Sequence, residues 1–295
     1  MGRAMRPLAS TRIGVAVPAL DYHSQTVLIT GASSGIGAAF ARALAARGSG
    51  LVLVARRRDR LDALAAELES AHGVTVTAIV QDLGSPSAAG ELHAAVAAAG
   101  RHVTGVINNA GFGTFGAFVE EDRERLAGEI AVDVSAPVQL SSLFLPEMVA
   151  AGSGFLINVA SMAAYTPTPR MAVYGAAKAF VLSFTEALWA ETRGSGVTVF
   201  ALSPGATSTE FNAVVGTEDA TAGARMRTAD EVVATALAHL ELRNPGPSVI
   251  DGGANRIGAN VARFLSRRRT VTLMHRLTDP ARREGAGTAV PASGR

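Results

Sequence analysis

The chain has 295 residues, 48% hydrophobic and 18% charged, which excludes disorder along its length and suffices for one large domain or two small ones. Its formal net charge is +2, too small to argue for nucleic acid, and no apolar stretch reaches the ~20 residues of a bilayer span. Cysteine is absent, so disulfides, thiolate catalysis and Cys-ligated zinc are excluded, which fits a reducing, cytoplasmic setting.

Residues 1–24 carry Arg3, Arg6 and Arg12 ahead of an apolar run from Ile13 to Leu20. Pro18 interrupts that run, and Asp21, Tyr22 and His23 stand where a signal peptide needs small residues, so a loosely ordered arm is predicted. Apolar, β-branched runs then recur at Thr26–Ile29, Leu51–Val54, Val74–Val80, Val103–Ile107, Phe155–Val159, Val197–Leu202 and Ser248–Ile250. Between them lie segments with helical spacing, such as Leu61, Leu64, Ala65 and Leu68. Apolar strands without polar alternation, separated by helices, predict a parallel sheet covered on both faces. The expected fold is a doubly wound, seven-stranded α/β domain of Rossmann type over 25–255, followed by a basic helical segment (256–278) and a flexible tail (279–295).

The first strand runs into Thr30-Gly31-Ala32-Ser33-Ser34-Gly35-Ile36-Gly37. Gly31 permits a tight turn, Gly35 lets backbone approach a pyrophosphate, and Gly37 lets the following helix pack close. That helix offers its N-terminal N–H groups to phosphate, so Ser33, Ser34 and Ile36 join the three glycines as candidate cofactor contacts. At the end of the second strand, Leu53-Val54-Ala55-Arg56-Arg57-Arg58 has Ala55 where an NAD site keeps an acid. Arg56 follows, and a guanidinium suits a 2′-phosphate, so the pattern favours NADP(H) with NAD(H) left open. Arg57 and Arg58 read as solvated.

Of the 27 Lys and Arg, a single one is lysine, Lys178. It stands four residues after Tyr174, on one helical face with it, whereas Tyr165 has Pro169 at that offset. With three tyrosines, chance gives this spacing about once in a hundred placements. A phenol with a reference pKa near ~10 is a slow acid–base catalyst at neutral pH. A cation within ~4–6 Å lowers such a pKa by ~1–3 units, which predicts that Lys178 makes Tyr174 more acidic. A mobile ammonium can also bond ribose hydroxyls, as the planar fork of Arg cannot. Ser161, thirteen residues before Tyr174 at the end of the fifth strand, is placed to donate to a developing oxyanion, although such a serine is as readily a turn cap.

These motifs, with Asn108-Asn109-Ala110-Gly111 after the fourth strand and Pro204-Gly205 after the sixth, make the chain similar to the short-chain dehydrogenase/reductase family in its single-domain branch. The resemblance covers about 25–255. It implies an NAD(P)-dependent oxidoreductase in which Tyr174 passes a proton, Ser161 steadies the carbonyl, and Lys178 tunes Tyr174 and binds ribose. It further implies that Asp82 contacts adenine, that Asn109, Ala110 and Gly111 pass close to the cofactor, and that Pro204, Gly205, Thr207 and Thr209 embrace the nicotinamide. A homodimer or homotetramer built on helices around 125–150 and 171–193 is implied as well. One position departs from the pattern: the family's relay Asn is replaced by Asp133, which either preserves a relay through its backbone carbonyl or perturbs Lys178.

Phe112, Phe115 and Phe118, then Met162, Tyr165 and Pro167, then Phe211, should converge on the carboxyl edge of the sheet as an apolar substrate pocket. Residues 210–227 read as a flap ahead of a helix opening at Thr228-Ala229-Asp230-Glu231. The run from Asn260 to Arg269 reads as a solvated helix face or an oligomer contact rather than a lipid-binding one. The six histidines lack metal-ligand spacing, and no metal is expected. The leading expectation is an NADP(H)-dependent reductase or dehydrogenase for an apolar ketone, aldehyde or secondary alcohol. The alternatives are a non-catalytic dinucleotide sensor or scaffold, and an epimerase or dehydratase.

Overall fold

The computed structural model describes residues 20–211, 226–262, 264 and 266–279. All seven expected strands form: β1 (Thr26–Thr30), β2 (Gly50–Ala55), β3 (Val76–Val80), β4 (Gly105–Asn108), β5 (Gly154–Val159), β6 (Val197–Ser203) and β7 (Ser248–Ile250). They make one parallel sheet in the order β3-β2-β1-β4-β5-β6-β7. Alternation along each strand sends side chains to opposite faces, and here both faces are covered. Val27, Ile29, Leu51 and Leu53 pack with α1 (Gly35–Ala45), α2 (Arg58–His72) and α7 (Ala229–Leu240). Leu28, Val52, Val54 and Val106 pack with α3 (Ala88–Ala98) and α5 (Ala136–Ala151). Burial of each large apolar side chain contributes about 1.5–3 kcal/mol. This is why the strands read as near-continuous apolar runs.

The chain leaves β1 for β2 on one side of the sheet and returns to β4 on the other. The order therefore reverses between β1 and β4, opening a crevice at their carboxyl ends. Four further helices frame it: α4 (Arg123–Ile130), α6 (Ala172–Glu191), α8 (Gly253–Ala262) and α9 (Arg267–Leu277). The helix expected at Thr228 starts there as α7, closed by a capping box between Thr228 and Glu231. The basic segment is two helices, not one, and Ser266 caps the second by accepting from the Arg269 N–H.

Most of the predicted arm, flap and tail lies outside the described residues. The last residues of the arm are docked, however: the Tyr22 hydroxyl donates to Glu241 at 2.8 Å, and Ser49 donates to the Tyr22 carbonyl at 2.9 Å. Among the described residues, no helix is long and apolar enough to cross a membrane.

Candidate active site

A single cavity of about 890 Å³ follows the crevice from Arg56 and Asp82, past the glycine loop, to Ser161, Tyr174 and Lys178. The glycine loop turns where only glycine is at ease: Gly31 has φ +65° and Gly35 φ +53°. Gly37 does not line the cavity; it lies beneath the turn, where a Cβ would collide with the Gly31 carbonyl. Ser33, Ser34 and Ile36 line the wall at the start of α1. Thr30 anchors the opposite side. Its hydroxyl accepts from the N–H groups of Asn109 (3.0 Å) and Ala110 (2.9 Å), while the Asn109 side chain donates to the Thr30 carbonyl at 2.9 Å. Asn108 donates to Asn158 at 2.8 Å across β4 and β5, so this pair of asparagines ties the sheet.

At the end of β2 the arginines divide differently from expectation. Arg56 lines the cavity, exposed and without an ion-pair partner among the described residues. Arg57, expected to be solvated, turns back over the loop and donates to Ser33 and Ser34, both at 2.9 Å. Arg57 also pairs with Glu210 at 2.8 Å, and Arg60 joins the same carboxylate. Hydrogen bonds from Arg60, Arg57 and Ser34 hold Glu210 down at about 2, so the cluster is built for an anion. Asp82 lies on the same rim, accepting from the Gly84 N–H at 3.0 Å.

Tyr174 and Lys178 face the crevice together from α6, with the ammonium 5.5 Å from the phenol ring centre. Ser161, at the end of β5, accepts from the Ala163 N–H at 3.1 Å and also hydrogen-bonds Tyr174, so cap and site roles coexist. Lys178 donates to the Val159 carbonyl at 3.3 Å and meets Asp133 at 3.0 Å, a pair with 6% and 0% side-chain exposure. Asp133 accepts from the Phe112 N–H at 3.0 Å and lies behind Lys178, outside the cavity lining. It sits on a π-helical turn, Ala131–Ser135, between α4 and α5. Pro137, four residues on, has no N–H to give the Asp133 carbonyl, and the Ala136 N–H bonds instead to Ala131, five residues back. The Asp133 side chain thus acts directly on Lys178.

The electrostatics correct one expectation. Lys178 does pull the Tyr174 phenol down, and Ser161 assists, but burial pushes it up more strongly and Asp133 and Glu129 add to that push. The net direction is upward. Burial also opposes the charge on Lys178, yet Asp133 and Tyr174 outweigh it and the ammonium stays firmly charged. Sequence reasoning missed Glu129 altogether. It lies one turn before Asp133, is 0% exposed, and is pushed up to about 7 by burial, against a pull from Thr114.

Pro204, Gly205, Thr207 and Thr209 line the far side of the cavity, and Thr209 lies against Gly35. Phe112, Met162, Tyr165 and Phe211 also line it, and the Tyr174 and Phe211 rings are 5.2 Å apart. Phe118 does not: it is 61% exposed on a short turn. Phe115 and Pro167 are likewise outside the lining. The missing wall comes from the C-terminal basic helical segment. Val261 of α8 and Thr270, Leu273 and Met274 of α9 reach the cavity. Arg170, held at φ +66°, binds this wall through Asp279 at 3.2 Å, and Thr278 donates to the Pro169 carbonyl at 3.5 Å.

Comparison with known proteins gives this geometry a family. The model described as short chain dehydrogenase matches residues 25–220. The chain belongs to the short chain dehydrogenase family. A short chain dehydrogenase of Pseudocercospora fijiensis is 36% identical over 195 residues, covering 65% of this chain and 63% of that one. A very-long-chain 3-oxoacyl-CoA reductase of Phaeosphaeria nodorum is 33% identical over 176 residues, covering 58% of this chain and 52% of the other. The match thus spans less than two thirds of these two relatives. A short-chain dehydrogenase from Sphingobium yanoikuyae, solved in complex with NADPH, superposes with TM-score 0.73 at 34% identity, covering 92% of this chain and 98% of that one.

Proposed function

We propose that this short chain dehydrogenase is an NADP(H)-dependent oxidoreductase that interconverts an apolar ketone or aldehyde with its alcohol. The observation that carries this reading is the Ser161–Tyr174–Lys178 cluster, opening onto one cavity with the glycine loop and Arg57. The residues suit a dinucleotide. The loop packs too tightly for larger side chains, the start of α1 presents N–H groups to phosphates, and an arginine–serine cluster already grips a carboxylate at the rim. Arg56, Arg57 and Ser33 would hold a 2′-phosphate, Asp82 the adenine side, and Asn109 to Gly111 the ribose side. Lys178 would take the nicotinamide ribose hydroxyls, and Pro204, Gly205, Thr207 and Thr209 the nicotinamide end. When bound, the dinucleotide supplies or accepts the hydride.

The protein's part is the proton and the polarity. Ser161 donates a hydrogen bond to the substrate oxygen, and the Tyr174 hydroxyl gives that oxygen its proton in reduction or takes it in oxidation. Lys178, held charged by Asp133, keeps a positive field on the phenol and limits the rise that burial imposes. A raised phenol pKa favours a protonated, donating Tyr174 at neutral pH, the form that carbonyl reduction requires. The apolar walls formed by Phe112, Met162, Phe211 and Met274 favour a bulky apolar substrate, in line with the long-chain name of the Phaeosphaeria relative. A panel of ketones and aldehydes with NADPH, followed by cofactor absorbance, tests the reading. Turnover of bulky apolar members supports it, and no cofactor oxidation with any of them contradicts it.

Two predictions refine this picture. Arg57→Ala removes charge-assisted hydrogen bonds of about 1.5–3 kcal/mol, so NADPH should bind about 10- to 100-fold more weakly while NADH is unchanged. Titrating both cofactors by fluorescence checks it, and equal losses for the two would contradict the assignment. Met274→Trp should raise KM for the bulkiest ketone turned over while leaving NADPH affinity intact, as steady-state kinetics would show. Exposed Ile130, Val149 and Phe180 on α4, α5 and α6 support a homodimer or homotetramer through those helices, readable from the elution volume.

A further inference from the structure

Glu129 has no role in the mechanism above, yet its setting is costly. It is 0% exposed, and the groups that pull its carboxyl down are the hydroxyl and N–H of Thr114, which burial outweighs. A carboxylate so buried is retained at a penalty unless it carries a proton. The titratable and charged groups around it are Asp133 on the π turn, Glu121 ahead of α4, and Lys178 and Tyr174 on α6, with Thr114 as its polar neighbour. The helix places Glu129 one turn before Asp133, and Asp133 is bound to Lys178 at 3.0 Å. A single proton on Glu129 thus decides whether the Lys178 ammonium faces one buried negative charge or two.

We propose that Glu129 is a positioning residue whose charge sets the pH at which Tyr174 changes protonation state, and so the pH window of turnover. The proposal rests on Tyr174 being the acid–base group. With Glu129 protonated, Asp133 and Lys178 balance and the ammonium acts on the phenol unopposed. With Glu129 ionised, a second negative charge lies in the cluster and the phenol keeps its proton to higher pH. Glu129 itself is pushed up to about 7 by burial, so the change falls within the physiological range. Because substrate and product fix the overall equilibrium, Glu129 leaves the ratio of forward to reverse kcat/KM unaltered. It moves the alkaline limit of reduction and the acid limit of oxidation together.

The direct test is an ultraviolet titration of tyrosinate in the cofactor-free protein, with Tyr174→Phe as the subtraction that isolates Tyr174. Glu129→Gln and Glu129→Leu should each lower the Tyr174 midpoint by about half a pH unit to one unit, since each removes a negative charge. Glu129→Asp should keep most of the parent behaviour. The alkaline limb of ketone reduction should shift by the same amount, with parent and Glu129→Gln coinciding below about pH 6. Stability gives an independent readout. A folded pKa raised above the unfolded value means stability is lost as pH rises towards 7, so Glu129→Gln should have the higher Tm at pH 8 and no advantage at pH 4.5. An unmoved Tyr174 midpoint in both neutral variants, or a loss of rate equal at every pH, overturns the proposal. Turnover that survives Tyr174→Phe instead overturns the assignment of Tyr174, whatever Glu129 does.

Discussion

Replacing Tyr174 by Phe should lower kcat for carbonyl reduction by about 10²- to 10⁴-fold, the range for loss of a positioned general acid, while NADPH binds as before. The substitution removes one oxygen and preserves the ring that packs against Phe211 at 5.2 Å and faces Lys178, so the pocket keeps its shape. The loss should fall on kcat and kcat/KM alike, because the hydroxyl acts in the transition state rather than in holding substrate. Steady-state kinetics with a cofactor titration alongside decides it. Unchanged turnover would remove Tyr174 from the reaction, and a matching loss of NADPH affinity would recast it as a binding residue.

Asp133→Ala should cost about 3–5 kcal/mol of stability, because it leaves the almost fully buried Lys178 ammonium without its counter-charge. Burial disfavours that ammonium more than any other single influence on it, and the Asp133 carboxylate does most to restore its charge. A loss of this size corresponds to a fall in Tm of roughly 10 °C for a domain this large. Asp133→Asn preserves the volume and the acceptor for the Phe112 N–H, and should cost less while still lowering the Lys178 pKa. Urea unfolding of the three proteins compares them. A penalty for Asp133→Ala below about 1 kcal/mol would mean that the pair is hydrated, as exposed ion pairs are.

The fold was legible because a parallel sheet buried on both faces leaves its mark in each strand. Runs such as Leu51–Val54 contain no polar alternation, and those residues pack alternately against opposite helix layers. The catalytic pair was legible for a different reason: helical spacing alone brings Tyr174 and Lys178 to one face, and a lone lysine draws attention to that spacing. The π turn was not legible. Pro137 lies near the start of a helix, where proline is common, and only the backbone shows that it disturbs the preceding turn.

Burial is the other property that local sequence does not carry. Glu129 occurs in the mostly polar stretch Arg123–Ile130, where nothing in the residue pattern singles out one carboxylate as buried, yet it is fully enclosed. The same ignorance of burial reversed the expected direction for Tyr174, since proximity of Lys178 was visible and desolvation was not. The choice between Arg56 and Arg57 depended on which guanidinium turns back over Ser33 and Ser34, a matter of side-chain direction after the strand has ended. The wall supplied by Leu273 and Met274 required a long-range contact. Nothing in the alternation of apolar residues and arginines distinguishes a helix beside a substrate cavity from one in solvent.

A crystal structure of the protein grown with NADP⁺ tests the central claim most directly. The account predicts the 2′-phosphate within hydrogen-bonding distance of Arg56 or Arg57 and Ser33, and the nicotinamide ribose on Lys178 beside the Tyr174 hydroxyl. A crevice left empty at saturating cofactor, or a nucleotide bound with its nicotinamide away from Tyr174, would contradict it.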